Sequence, residues 1–170
     1  MKTIKLFLSL FIFFMAGCLT AAMAQDSADK DFDSFLKKFT SSAEFQYSRV
    51  RFPLESPILL VNQDGTEQEV PFTMDEWPLL SATDLKERKQ ETQDGIYFGQ
   101  FTVKKPDHIE FESGLEESEL DLSIVFDLVD GKWYVTDCFN GWYGSVSPED
   151  LDSTVYEVQQ KNREFEKKHP

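Results

Sequence analysis

Asp137 is the side chain in this 170-residue sequence whose type and setting most suggest chemistry. It falls in the run Lys132–Phe139, which is rich in aromatic and β-branched residues and reads as a strand. The run before it places Leu120, Leu122, Ile124, Phe126 and Leu128 at alternate positions, so one face of a second strand is apolar. Asp130-Gly131 between them is a dipeptide of two-residue hairpin turns, which need positive φ at both central positions. Such a turn sets the register. Val129 then faces Lys132, Leu128 faces Trp133, Phe126 faces Val135, Ile124 faces Asp137 and Leu122 faces Phe139. The result is an apolar face holding a single carboxylate. An isolated buried charge costs several kcal/mol, so the group must find a cation, find donors or stay protonated. A general base with a raised pKa is made in this way. Two architectural readings compete with it. A bulge could turn the side chain out to water, or an arginine could neutralise it, with Arg49 the first partner to consider.

The other groups with chemical capacity are scattered. Arg49 and Arg51 sit among aromatics in Phe45–Leu54 and suit a carboxylate or phosphate through the guanidinium fork. Each could equally lie on an aromatic face. His108, Glu110 and Glu112 share one side of a short strand, but His-x-Glu supplies two ligands and no metal site, and a solvated face explains it. Tyr143, in the aromatic loop Gly141–Gly144, and His108 are possible donors beside Asp137. Tyr134 is a weaker one, because the register sends it to the opposite face. Trp77 is expected to cap the core from the side. These considerations make Arg49, Asp137, Tyr143, Trp77 and His108 the ligand-binding candidates, with Asp137 the catalytic one if there is a reaction. His169 is penultimate and expected to fray. Cys138 on a strand reads as a small buried hydrophobe. There is no phosphate-cradling glycine loop, G-x-S-x-G, H-E-x-x-H, C-x-x-C or calcium-loop spacing, and neither cofactor nor metal is expected.

The elements that position these groups can be read in order. Residues 1–24 have a basic start, an apolar run and small residues before Gln25, the form of a secretory signal peptide. Cleavage after Ala24 is favoured. Met15-Ala16-Gly17-Cys18 resembles a lipobox, and the alternative is lipidation at Cys18, the one route by which a membrane becomes a partner. A flexible lead-in, 25–30, precedes a single domain, 31–170. Asp31–Phe39 is a predicted helix with Phe32, Phe35, Leu36 and Phe39 in one stripe. A short turn starts at Ala43, and Phe45–Leu54 reads as a strand or as a helix end passing into one. Pro57–Val61 and Glu67–Phe72 form a hairpin around a glycine-containing loop. Ser81 caps a predicted helix to about Glu91. Ile96–Val103 is a strand in which Gly99 marks a bulge or a close backbone approach. Ser147-Pro148-Glu149-Asp150 starts a last helix carrying Leu151, Val155, Val158 and Phe165.

The chain carries 31 acidic against 17 basic residues, a net charge of −14, and loses two lysines with the leader. So acidic a molecule excludes nucleic acid as a partner. The element order implies an α+β fold, a curved antiparallel sheet with helices packed on one side. The phenylalanine-bearing first helix and the Asp130-Gly131-Lys132-Trp133 hairpin resemble the cone-shaped, nuclear-transport-factor-two-like (cystatin-like) superfold. More closely, the leader, Phe32, Phe35 and Phe39, Phe45-Gln46, Ser48-Arg49-Val50, Phe52-Pro53-Leu54 and the hairpin resemble an exported bacterial family of unknown function, numbered 4348. That likeness implies the cone-shaped fold and an envelope location, and it implies no activity. The favoured reading is a non-catalytic envelope domain that binds a small ligand or a protein partner through the concave face of its sheet. The alternatives are a small isomerase- or dehydratase-like enzyme using Asp137 as general base, and a purely structural subunit.

Overall fold

The computed structural model describes residues 31–144 and 146–169. The expected signal peptide, its alternative lipidation site Cys18 and the expected lead-in lie outside these. Helix α1, Phe32–Phe39, begins where Asp31 accepts a hydrogen bond from the Ser34 amide (2.9 Å) and ends where the Thr40 hydroxyl donates back to Leu36 O (2.9 Å). Its stripe is the expected one. The Phe32 ring meets Phe126, Trp133 and Phe101 edge-on at 5.3, 5.1 and 5.8 Å, and Phe35 and Phe39 both contact Phe126. Helix α2, Ala43–Ser48, takes up the first half of the segment that allowed helix or strand. Beyond it, Val50 pairs in parallel with Val135, and Arg51 N donates to Val135 O (3.0 Å).

The main sheet is antiparallel and has five strands in sequential order: β3 (Arg88–Glu91), β4 (Ile96–Lys104), β5 (His108–Leu115), β6 (Leu120–Val129) and β7 (Lys132–Asn140). Strands β1 (Ile58–Val61) and β2 (Glu67–Val70) form the expected separate hairpin. A 3₁₀ turn, Gly141–Tyr143, leads to helix α3, Leu151–Lys168. The fold is α+β, and its core is where the aromatic stripe of α1, Val158 of α3 and the inner residues Phe111, Ile124, Phe126, Trp133 and Val135 meet.

Three local expectations change, and the alternative left open at Gly99 is decided. No helix follows Ser81. The serine and Asp84 do close a capping turn, with Asp84 accepting from Ser81 N (2.7 Å) and Oγ (2.6 Å), but Arg88–Glu91 pair with β4 instead. Of the residues after the cap only Ala82 and Leu85 are apolar, so a short helix there has no stripe to bury, and short helices rely on such packing. Gly99 marks a close approach rather than a bulge, since a Cβ there would lie 2.7 Å from Lys86 O; the bulge in β4 falls between Phe101 and Val103. Helix α3 begins at Leu151, later than the Ser147 cap implied, and Ser147 Oγ donates to Asp150 in the turn before it (2.7 Å). His169 is not frayed: its carbonyl accepts from Ala43 N (2.9 Å) and its ring packs on Phe165 at 4.6 Å.

The β6–β7 hairpin carries the largest correction. Asp130 and Gly131 have φ of 53° and 75°, as their turn requires, and pairing runs as expected to Phe126–Val135. A bulge at Thr136 then shifts the register, so Val125 pairs with Asp137, Ile124 with Cys138 and Leu122 with Asn140. One inserted residue moves every later side chain to the other face. Asp137 leaves the apolar side, Cys138 enters the core, and Phe139 is 43% exposed.

Candidate functional site

The five candidate residues do not converge. The Asp137 carboxylate accepts from Ser56 N (2.9 Å), Ser56 Oγ (2.8 Å) and Cys138 N (2.9 Å), which ties the loop before β1 to the outer side of β7. Arg49 is buried with its guanidinium over the rings of Phe45 and Tyr134 at 4.9 and 5.4 Å, and Arg51 lies on Tyr134 at 4.8 Å. Trp77 is a wholly buried core residue rather than a side cap, and its indole N–H donates to Gln46 Oε1 (3.1 Å). Tyr143 donates its hydroxyl to Glu76 O (2.7 Å), and burial pushes that phenol well above its ordinary pKa. It also lines an apolar groove of about 440 Å³ beside Leu59, Val61 and Phe139. His108 sits between two carboxylates, Nε2 at 2.7 Å from Glu110 and Nδ1 at 2.7 Å from Asp127, and these bonds raise its pKa and favour the imidazolium. Thr136 Oγ1 donates to the other Asp127 oxygen (2.5 Å), so the bulge residue is tied to this cluster. The Cys138 thiol is buried, and desolvation raises its pKa far above an ordinary thiol's. Among the described residues no group of three or more His, Cys, Asp or Glu could hold a metal ion.

A different set of residues forms a polar cavity. It measures about 620 Å³ and opens between one end of the five-stranded sheet, the segment Pro78–Leu80 and α3. Ser113 comes from β5 where that strand shifts register, and Asn140 from the last position of β7. The register change at Thr136 aims Asn140 inward. Its Oδ1 accepts from Trp142 N (3.0 Å) and caps the 3₁₀ turn. Gly141 lets that turn close on β6, since a Cβ would lie 3.1 Å from Asp121 O. Trp142 then forms one wall, with Lys161 Nζ of α3 3.7 Å from its ring centroid. Arg88 of β3, four strands away from Asn140 along one row of the sheet, lies over Tyr97 of β4 at 4.8 Å and donates through Nη1 to Thr83 O (3.0 Å).

Two buried amides hold the lining segment Pro78–Leu80 from behind. Gln46 of α2 uses both ends of its side chain. Nε2 donates to Phe39 O (2.8 Å) and Leu80 O (3.0 Å), and Oε1 accepts from Leu80 N (2.7 Å) and the Trp77 indole. Asn162 of α3 accepts from Leu79 N (2.8 Å) and donates to Trp77 O (2.8 Å). The segment from Trp77 to Leu80 has no strand or helix of its own, and these side chains replace a ladder for its backbone groups.

The cavity keeps unused hydrogen-bonding capacity. Ser113 and Asn140 are only 3% and 7% exposed, yet among the described residues the Ser113 hydroxyl and the Asn140 amide nitrogen have no hydrogen-bond partner, and both residues line the cavity. No described buried polar atom is sealed from solvent without a partner, so both atoms keep some accessible surface. Sequence reasoning missed this set. The aromatic loop pointed to Trp142. The polar Asn162, in line with Leu151, Val155, Val158 and Phe165, was a second signal. Nothing local marked Arg88 or Ser113.

A five-stranded antiparallel sheet holding helices against one face, with a cavity at its open end, defines a cystatin-like domain of the nuclear-transport-factor-two-like kind. Solved structures agree with that class. A cystatin-like protein from Bacteroides caccae ATCC 43185 is 49% identical, with a TM-score of 0.80 over 82% of this chain and 95% of that one. A protein from Bacteroides uniformis ATCC 8492, solved by NMR, is 52% identical, with a TM-score of 0.78 over 82% and 97%. One from Bacteroides ovatus ATCC 8483 is 50% identical, with a TM-score of 0.77 over 82% and 93%. A family model described only as "-like" matches residues 30–166. The chain belongs to the family of these Bacteroides cystatin-like proteins, for which no activity is indicated. No curated protein matches the chain.

Proposed function

We propose that the protein is an exported, non-catalytic domain of the cell envelope that binds a small ligand in the cavity between the open end of its sheet and α3. The supporting observation is the pair of nearly buried, unpartnered polar groups, Ser113 and Asn140, facing a cavity of about 620 Å³. That volume falls within the usual range of ligand pockets, where a few convergent polar groups set orientation. The general-base reading loses its support, because the bulge removes Asp137 from the apolar face and Ser56 occupies its carboxylate. Export rests on residues 1–24, with Cys18 the anchoring site if the lipobox is used. The family numbered 4348 is the more exact assignment that the leader and the Phe45–Leu54 motifs support.

A neutral fragment library screened by ¹⁵N NMR tests the binding site. Saturable shifts confined to Ser113, Gly141, Trp142 and their neighbours are expected. Shifts confined to other surfaces, or none from the whole library, would overturn it. Amino-terminal sequencing of protein from the native cell tests export: a start at Gln25 or a blocked, lipid-modified Cys18 is expected, and an intact Met1 start refutes it.

A further inference from the structure

We propose that the ligand group bound in this cavity is a single oxyanion, a carboxylate or phosphate on a compact organic molecule, held between Arg88 and Lys161. The proposal rests on the cavity being the binding site and adds the chemical class of its occupant.

The supply of donors carries the assignment. The Ser113 hydroxyl and Asn140 Nδ2 are available inside, and an amide nitrogen only donates. The Arg88 fork spends one N–H on Thr83 O, and no other described hydrogen bond uses the rest. The contact with Tyr97 and the bond to Thr83 O hold the guanidinium in place, and its remaining fork suits bidentate capture of a planar oxyanion. Lys161 stands over Trp142, also on the cavity lining, and has no described carboxylate partner. Two cations lining one cavity are notable in a chain of net charge −14.

The acids present limit the charge that can enter. Asp84 lines the cavity but is exposed and accepts both hydrogen bonds from Ser81; Asp121 is exposed beside Gly141. With these two carboxylates on the lining, and a molecule-wide negative field outside, a polyanion is disfavoured both at rest and on approach. One negative group between the cations is accommodated.

The test uses the purified, ¹⁵N-labelled protein at pH 7 and low salt. The probes are phenylacetate, phenyl phosphate, phenylacetamide, phenethylamine and the polyanion citrate. Phenylacetate or phenyl phosphate should shift Ser113, Gly141 and the Trp142 indole saturably, and the stronger of the two identifies the oxyanion. The amide, the amine and citrate should bind at least about tenfold more weakly. Lys161→Gln and Arg88→Gln should each weaken oxyanion binding about tenfold or more, the range of a lost charge-assisted hydrogen bond. Lys161 is exposed, so its variant stays informative if Arg88→Gln fails to fold. Equal binding of phenylacetamide or phenethylamine overturns the oxyanion assignment and leaves cavity binding intact. Silence from all five probes also overturns it, and the binding reading falls with it only if the neutral library is silent too.

Discussion

Replacing Gln46 with methionine should destabilise the fold far more than any surface change, because one side chain satisfies the backbone of a whole segment. The two side chains have similar length and volume, so packing is nearly kept while four hydrogen bonds are lost. Leu80 N–H and the Trp77 indole N–H lose their acceptor, and the carbonyls of Phe39 and Leu80 lose a donor. Gln46 is fully buried, so water cannot replace it without a rearrangement. Each stranded buried group costs roughly 1–3 kcal/mol. Two stranded donors and two carbonyls, which tolerate loss somewhat better, give a total of about 3–6 kcal/mol. A domain of this size has about 5–15 kcal/mol of stability in all, so the variant should be marginal at 37 °C. Urea unfolding followed by tryptophan fluorescence reads it directly: the midpoint should fall steeply with an unchanged slope. Ligand shifts at Trp142 should weaken in parallel, because Pro78–Leu80 line the cavity. A loss below about 1 kcal/mol with the same slope would refute the claim that this amide supports the segment.

Other expectations follow from the hairpin and its outer face. The folded pKa of His108 lies above its unfolded value, raised by bonding to Glu110 and Asp127. Its contribution to stability is therefore complete below about pH 6.5 and fades as pH rises through the folded pKa. The urea midpoint should decline over that window in the wild type and stay flat in His108→Gln; equal slopes would exclude the imidazolium pair. Deleting Thr136 should restore regular pairing, return Asp137 to the apolar face and unfold the domain, whereas Thr136→Val should retain the fold by circular dichroism. A folded deletion variant would show that the bulge does not protect the core from the acid. Cys138 should resist iodoacetamide in the native state and react at the rate of unfolding, since it is buried and its thiol is held protonated; rapid native labelling would contradict that burial.

Local patterns were enough for much of the framework. The phenylalanine stripe of α1, the Asp-Gly turn and the alternation in β6 each concern residues within a few positions of one another, so short-range chemistry specifies them. The antiparallel α+β class followed, as did the burial of Cys138. Tertiary partners decided the rest. Arg88–Glu91 has the composition of a helix, yet the free edge of β4 offers ladder hydrogen bonds and no apolar stripe competes for them. The register of β7 past Val135 depends on Asp127, 9 residues from Thr136, and on Ser56, 81 residues from Asp137, and no local pattern carries contacts of that span. The cavity assembles Arg88, Ser113, Asn140 and Lys161 from β3, β5, β7 and α3. Each looks like an ordinary polar residue in its own stretch of chain. Folding alone brings them together, and it leaves all four with donors still to use.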